Sequence, residues 1–149
     1  MKPIKIGIAG MGTVASGVVK VLERNQAEIT RRAGRGIEVA VVCERTPGRA
    51  AHLEERGVEV INDLSQLASH PDGDTVVELI GGYEPARSFV LEAIANGKHV
   101  VTANKALLAE HGNEIFQAAQ DKGVTVAFEA AVAGGIPVIK ALREGLSAN

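Results

Sequence analysis

The chain has 149 residues, of which 46% are hydrophobic and only 3% aromatic, and its formal net charge is −2. This composition indicates one globular domain with an aliphatic core and excludes a disordered chain. Lysine and arginine do not cluster, and no apolar run or secretory leader is evident, so we expect neither nucleic acid nor a membrane as a partner. The single cysteine, Cys43, cannot form an internal disulfide, and a cytoplasmic location is the default expectation.

The first predicted elements are a strand, a glycine-rich turn and a helix. Ile4–Ala9 is apolar, as expected of a strand buried on both faces. Gly10, Gly12 and Ala15 then give the pattern G-x-G-x-x-A, in which the glycines permit a tight turn and close approach of a pyrophosphate. An ordinary glycine-rich turn is the alternative. The strand before the turn and the helix after it favour a dinucleotide site at the helix N-terminus.

The first helix and the second strand place two charged residues at a position that selects the nucleotide. The helix is predicted over Thr13–Ala33, with a polar second half expected to project beyond the sheet, and the strand over Ile37–Cys43. After it come Glu44, suited to the ribose hydroxyls of NAD, and Arg45, suited to the 2′-phosphate of NADP. A solvated loop with ordinary charges is the alternative. The pattern is compatible with either NAD or NADP as the nucleotide, and Arg45 favours NADP.

The rest of the chain continues to alternate between helices and strands. Right-handed crossovers would assemble these elements into a doubly wound parallel α/β sheet of about six strands, the Rossmann type of dinucleotide-binding domain. The predicted strands are Val58–Ile61, Thr75–Ile80, His99–Thr102 and Val124–Phe128. The predicted helices are 49–56, a short one after Asn62 or Asp63, one from Pro85 to Ala95, one from Ala106, Asn113–Lys122 and one from Pro137.

Small or basic residues follow the later strands. Gly81 and Gly82 would allow close approach by a ligand, although a turn before a helix is the alternative. Lys105 could equally reach a nicotinamide ribose or substrate carboxylate, or be solvated. His99 is interpreted as a structural histidine, and no metal-ligand spacing connects it with the predicted surface histidines His52, His70 and His111.

The segment 129–137 is small, apolar and rich in glycine, with one carboxylate. It is compatible with a hinge, a ligand loop or a site where backbone carbonyls meet a cation.

Four segments resemble the N-terminal part of homoserine dehydrogenase: IGIAGMGTVASGV, ELIGGYEPAR, AIANGKHVVTANKALLAEHG and FEAAVAGGIPVIKALREGL. The resemblance covers nearly the whole chain, and the last two segments are more specific than the glycine pattern. Ala15 departs from the Gly that is frequent in the family but still satisfies G-x-G-x-x-G/A.

The resemblance implies an NAD(P)-dependent oxidoreductase that interconverts L-homoserine and L-aspartate-4-semialdehyde in threonine, methionine and isoleucine biosynthesis, and a homo-oligomer at full length. It implies cofactor contacts from the first turn, the fourth strand's glycines and the lysine, namely Gly10, Gly12, Thr13, Val14, Gly81, Gly82 and Lys105. It also implies a sodium site with mainly backbone carbonyl ligands, at Glu129, Val132, Gly134 and Ile136.

The resemblance further implies that residues 1–149 are a dinucleotide-binding domain whose segment 129–149 leads into a substrate and dimerisation domain outside this chain. No catalytic residue is then expected here, and the chain alone should bind nucleotide weakly and turn over nothing. Two alternatives stay open: another two-domain dehydrogenase, such as aspartate dehydrogenase or a glucose-fructose oxidoreductase relative, and a non-catalytic nucleotide-sensing or assembly module.

Overall fold

The structure is a computed structural model that describes residues 2–10, 12–46 and 48–128. Within these ranges six strands alternate with six helices. The strands are β1 (Ile4–Ala9), β2 (Ile37–Cys43), β3 (Glu59–Ile61), β4 (Thr75–Glu78), β5 (His99–Thr102) and β6 (Val126–Phe128). The helices are α1 (Thr13–Arg24), α2 (Gln26–Ala33), α3 (Ala51–Glu54), α4 (Leu64–Ala68), α5 (Ala86–Ala95) and α6 (Lys105–Lys122).

The strands form one sheet in the order β3-β2-β1-β4-β5-β6, and every neighbouring pair is parallel. This order confirms the predicted doubly wound sheet, since the chain first moves outward from β1 to β3 and then returns to the other side of β1 at β4. The switch between these two directions lies between β1 and β4. In open α/β sheets, ligands bind outside the carboxyl ends of the strands at such a point.

Two hydrophobic layers cover the two faces of the sheet. One layer contains residues of α1, α2 and α3, and Ala15 is completely buried in it beside the isoleucines of β1. The other contains residues of α4, α5 and α6. Helix α4 lies so close to β1 that a Cβ atom at Gly7 would be 2.7 Å from Cδ1 of Leu67. No helix in the described ranges is long and apolar enough to span a bilayer.

The single helix predicted over residues 13–33 is wrong, because Asn25 separates α1 from α2. Its backbone N–H makes the last helical bond of α1 to the carbonyl of Val21, and its side-chain amide donates to the same carbonyl, a local side-chain bond of the kind that competes with helix continuation. The expected projection beyond the sheet is also wrong. Ile29 is buried in the core, and the amide of Gln26 donates to the carbonyl of Ile37 at 2.6 Å.

Helix α6 is continuous where two helices were predicted. Leu107 and Ile115, on either side of the predicted break, are both fully buried, and a Cβ at Gly112 would meet only ordinary van der Waals contacts. Packing on both sides therefore outweighs the weak helix propensity of Gly112. Other bounds differ by a few residues, with β4 ending at Glu78, β6 starting at Val126 and α3 limited to four residues.

Candidate functional site

The last residues of the six strands form one row across the sheet. Register pairs each of them with its neighbour, in the order Ile61, Cys43, Ala9, Glu78, Thr102 and Phe128. The loops that follow β1, β2, β4 and β5 therefore leave the sheet along the same edge. Every predicted cofactor residue lies in one of these loops or in the first turn of the helix after it.

Hydrogen bonds join the end of β1 and the turn after it to residues at the ends of both neighbouring strands, β2 and β4. The N–H of Gly10 donates to the carbonyl of Cys43 at 3.0 Å, while the N–H of Leu79 donates to the carbonyl of Ala9 at 3.0 Å. Gly10 has a φ of +97°, and a Cβ at this position would be 3.3 Å from the carbonyl oxygen of Leu79. Both the backbone conformation and the limited space therefore require glycine.

Helix α1 begins without a side-chain cap. Its N-cap residue is Gly12, at φ −80° and ψ −166°, and, apart from its chain neighbours, no described residue has an atom within 4 Å of an added Cβ. The backbone N–H groups of the first helical residues, Thr13 and Val14, have no acceptor within the helix. An open helix N-terminus with free N–H groups and the positive end of the helix dipole is suited to bind phosphate.

The loop after β2 lines a cleft of about 470 Å³, together with residues of the β3–α4 connection. The Glu44 carboxylate is largely buried, accepts a hydrogen bond from the N–H of Thr46 at 2.7 Å and lies 3.8 Å from Arg49. The side chain of Arg45 is exposed on the same loop. The cleft thus offers one exposed guanidinium and one carboxylate already engaged within the loop.

Nucleophilic and metal chemistry are not evident in the described residues. Burial, with smaller contributions from Asp63 and Glu44, raises the pKa of the Cys43 thiol to about 11, so it is protonated at neutral pH and a poor nucleophile. No group of three or more His, Cys, Asp or Glu residues converges in these ranges. The predicted sodium ligands Glu129, Val132, Gly134 and Ile136 lie outside the described residues.

A buried carboxylate organises the loop after β4. Glu78 is fully buried, and its Oε2 accepts hydrogen bonds from the N–H groups of Ile80 and Gly81 at 2.9 and 3.0 Å. Its Oε1 accepts a hydrogen bond from the hydroxyl of Thr102, on β5, at 2.6 Å. Sequence reasoning did not single out Glu78. A charged residue inside the apolar run TVVELI was the signal that could have identified it.

Asn104 links the loop after β5 to the loop after β4. Its backbone N–H donates to the Thr102 hydroxyl at 3.0 Å, and its Oδ1 caps α6 by accepting from the N–H of Leu107 at 3.0 Å. Its Nδ2 donates to the carbonyl of Gly82 at 2.6 Å. Lys105, the next residue, is the exposed first residue of α6. The predicted glycines and the predicted lysine are thus joined by residues that sequence reasoning missed.

His99 and His70 make hydrogen bonds that have structural roles. His99 accepts a hydrogen bond from the N–H of Thr125 at its Nδ1 atom, in agreement with its interpretation as a structural residue. The prediction that His70 lies on the surface is wrong, because only 11% of its side chain is exposed. Its ring lies between the N–H of Asp72 and the carboxylate of Glu59, at 3.1 and 3.0 Å.

Comparison with known proteins decides the family. Residues 10–129 match the model of the homoserine dehydrogenase NAD-binding domain. The chain belongs to this family. The homoserine dehydrogenase of Pseudomonas aeruginosa is 62% identical over the whole chain, which covers 34% of that protein. The crystal structure of the enzyme from Thiobacillus denitrificans is 60% identical, with a TM-score of 0.83 over the whole chain and 34% of the solved one.

A more distant structure extends the comparison of the fold. It is a hyperthermophilic archaeal homoserine dehydrogenase in complex with NADPH, 24% identical, with a TM-score of 0.68 over 97% of this chain and 49% of the solved one. At this identity the likeness concerns the fold alone. The chain spans about a third of the length of the curated homoserine dehydrogenases that it matches.

Proposed function

We propose that this chain supplies the nucleotide-binding part of an NAD(P)-dependent homoserine dehydrogenase, which interconverts L-homoserine and L-aspartate-4-semialdehyde. The observation that carries the proposal is the uncapped N-terminus of α1 at the switch point of the sheet, beside the Gly10 turn. Membership of the homoserine dehydrogenase family supports the choice of substrate.

The residues of the first turn fit a nucleotide pyrophosphate. The space in front of Gly12 would admit phosphate oxygens, and the N–H groups at the start of α1, including those of Thr13 and Val14, would donate to them. Gly81 and Gly82 are exposed on the neighbouring loop, and Lys105 carries the positive charge next to it. When bound, the nicotinamide donates or accepts the hydride. The chain's own contribution is to bind and orient the nucleotide.

Arg45 favours NADP over NAD. The Glu44 carboxylate is engaged by Thr46 and Arg49, which reduces its capacity to accept hydrogen bonds from a ribose. Arg45 is exposed at the same cleft and would pair with a 2′-phosphate. The archaeal homoserine dehydrogenase that shares this fold was solved in complex with NADPH.

The remaining features of the proposal concern the larger protein. Residues 1–149 would form the dinucleotide-binding domain, and 129–149 would lead into the domain that binds substrate and forms a homo-oligomer. A sodium ion would be held by Glu129, Val132, Gly134 and Ile136. We further propose a cytoplasmic enzyme of threonine, methionine and isoleucine biosynthesis that binds neither nucleic acid nor membrane.

A pair of glycine variants tests nucleotide binding directly. Gly12→Ala and Gly17→Ala both add a methyl group that would meet no atom within 4 Å among the described residues outside its own local backbone, but only Gly12 lies at the N-terminus of α1. Titration of NADPH and NADH into the chain should show binding that Gly12→Ala weakens and Gly17→Ala leaves unchanged. Equal affinities in all three proteins would overturn the assignment of the pyrophosphate site.

The proposed reaction is tested on the full-length protein. Oxidation of NADPH in the presence of L-aspartate-4-semialdehyde should be rapid with the full-length protein and absent with residues 1–149 alone. Nucleotide binding by the full-length protein without any turnover would instead favour a sensing or assembly module.

A further inference from the structure

We propose that Glu78, Thr102 and Asn104 are positioning residues that hold the Gly81–Gly82 turn in the shape that accepts the nicotinamide half of the nucleotide. The inference rests on the proposed nucleotide-binding function. It concerns three residues that need not touch the nucleotide themselves.

Hydrogen bonds connect Asn104, Thr102, Glu78 and Gly81 in series, and the donor and acceptor of each bond are defined. The N–H of Asn104 donates to the Thr102 hydroxyl, so the single hydroxyl proton is free to be donated to Glu78, as its 2.6 Å distance indicates. Glu78 in turn accepts from the N–H of Gly81. Because Glu78 is fully buried and Thr102 and Asn104 are nearly so, water does not compete effectively for these bonds.

These hydrogen bonds hold the glycine turn at both of its residues, Gly81 and Gly82. The N–H of Gly81 is held by Glu78, and the carbonyl of Gly82 is held by the Asn104 amide at 2.6 Å. Both glycines have positive φ, +83° and +72°, a conformation that glycine adopts without steric cost but can also leave easily, so the bonds at both residues select one of several accessible shapes. The N–H of Gly82 has no partner among the described residues and remains available to a ligand.

The same clamp fixes the start of α6. Asn104 uses one amide atom to cap α6 and the other to hold Gly82, so a movement of the β4–α5 loop is transmitted to the first turn of α6. Lys105 is the first residue of that turn. The positions of the glycine turn and of the lysine are therefore set together, although they follow different strands.

Asn104→Ser separates the clamp from the helix cap. Serine is a good N-cap and adds no charge, but it lacks the amide that reaches Gly82. The matched control is Asn96→Ser, which removes a similar amide-to-carbonyl bond, from Asn96 to Ala68 at 3.0 Å, beyond the C-terminus of α5 and away from the carboxyl edge. Titration with NADPH should show roughly five- to tenfold weaker binding for Asn104→Ser and an unchanged dissociation constant for Asn96→Ser.

A second pair of variants distinguishes positioning from general stability. Thr102→Val removes the hydroxyl without changing the shape of the side chain, while Thr102→Ser keeps it. Amide hydrogen exchange of Gly81 without nucleotide should become faster in Thr102→Val, and NADPH binding should weaken, whereas Thr102→Ser should restore both. This rescue would not be expected if the residue only filled space in the core.

Two outcomes would overturn proposals, and they can be told apart. Normal NADPH affinity in Asn104→Ser and Thr102→Val, with normal binding by the unaltered chain, would overturn the positioning role alone. Absence of NADPH and NADH binding by the unaltered chain would overturn the proposed function and the positioning role together.

Discussion

Gly10 and Leu79 approach each other so closely that a methyl group on Gly10 would lie 3.3 Å from the Leu79 carbonyl oxygen. The two residues follow the strands on either side of the switch point, β1 and β4. Their contact is where the two halves of the sheet meet at the candidate nucleotide site.

This contact predicts that Gly10→Ala destabilises the fold. The alanine would have to adopt a positive φ and displace the Leu79 backbone, which should lower the free energy of unfolding by roughly 1–3 kcal/mol. Urea denaturation measures this loss. Gly12→Ala is the control, because its φ is negative and its surroundings are open, so its unfolding midpoint should change little. Equal midpoints for both variants would contradict the prediction.

Arg45→Ala should change nucleotide preference rather than overall binding. Loss of a charge-assisted bond to the 2′-phosphate should weaken NADPH by about tenfold or more and leave NADH unaffected. Separate titrations with the two nucleotides measure the ratio. Arg24→Ala removes the same charge from the last turn of α1, at the opposite end of that helix from Gly12, and should leave both affinities unchanged. If Arg45→Ala lost affinity for NADH and NADPH equally, the assignment of Arg45 to the 2′-phosphate would be contradicted.

Lys98→Met should destabilise the protein without affecting nucleotide binding. The buried Lys98 ammonium donates to the carbonyls of His70 (2.6 Å) and Gly73, in the turn before β4 and away from the carboxyl edge. Burial also lowers the pKa of Lys98, because desolvation disfavours the charged ammonium. We expect a loss of about 2 kcal/mol in urea unfolding, with unchanged NADPH affinity. Lys122→Met, at an exposed position, is the control. If both variants lowered the free energy of unfolding by the same small amount, the stabilising role of the buried Lys98 would be contradicted.

The raised pKa of the Cys43 thiol predicts that the stability of the fold decreases at alkaline pH. Its pKa is raised from 9.0 to about 11 in the folded protein, so the thiol keeps its proton to a higher pH in the folded state than in the unfolded state. The stabilisation is fully present below pH 9.0 and is lost as pH rises through about 11. The total loss should be about 2–3 kcal/mol.

The comparison protein for this measurement is Cys43→Ala, which cannot titrate at this position. The difference in unfolding free energy between the two proteins should shrink between pH 8.5 and 11, since the pH-dependent contribution of Lys98 is common to both and cancels. A difference that stays constant over this range would show that the thiol has the same pKa in both states.

The parts of the site that follow from local chemistry could be predicted from the sequence. Gly10 and Ala15 are specified by the turn and by helix–strand packing, and the structure shows a positive φ at the first and complete burial of the second. The alternation of strands and helices was sufficient to predict a doubly wound parallel sheet of about six strands, because right-handed crossovers leave few other arrangements.

Features that depend on distant partners could not be predicted in this way. The sequence predicted one helix from Ala106 and a second over Asn113–Lys122, but burial of Leu107 and Ile115 on either side of the predicted break accompanies one continuous α6. Glu78 finds its partner Thr102 twenty-four residues further along the chain, through strand pairing rather than through any motif. At the division between α1 and α2, the side chain of Asn25 donates to the carbonyl of Val21, a local bond that helix periodicity in the sequence does not reveal.

The central place of β1 in the sheet has a consequence for biosynthesis. β1 is translated before the other five described strands, yet it gains its second neighbour only when residues 75–78 have been made. Until then the contact between Leu79 and the Gly10 turn cannot form, and one side of that turn lacks its neighbouring strand. At the proposed nucleotide site, we therefore expect bound nucleotide to stabilise a weakened variant only after β4 has paired with β1, and not during the earliest folding steps.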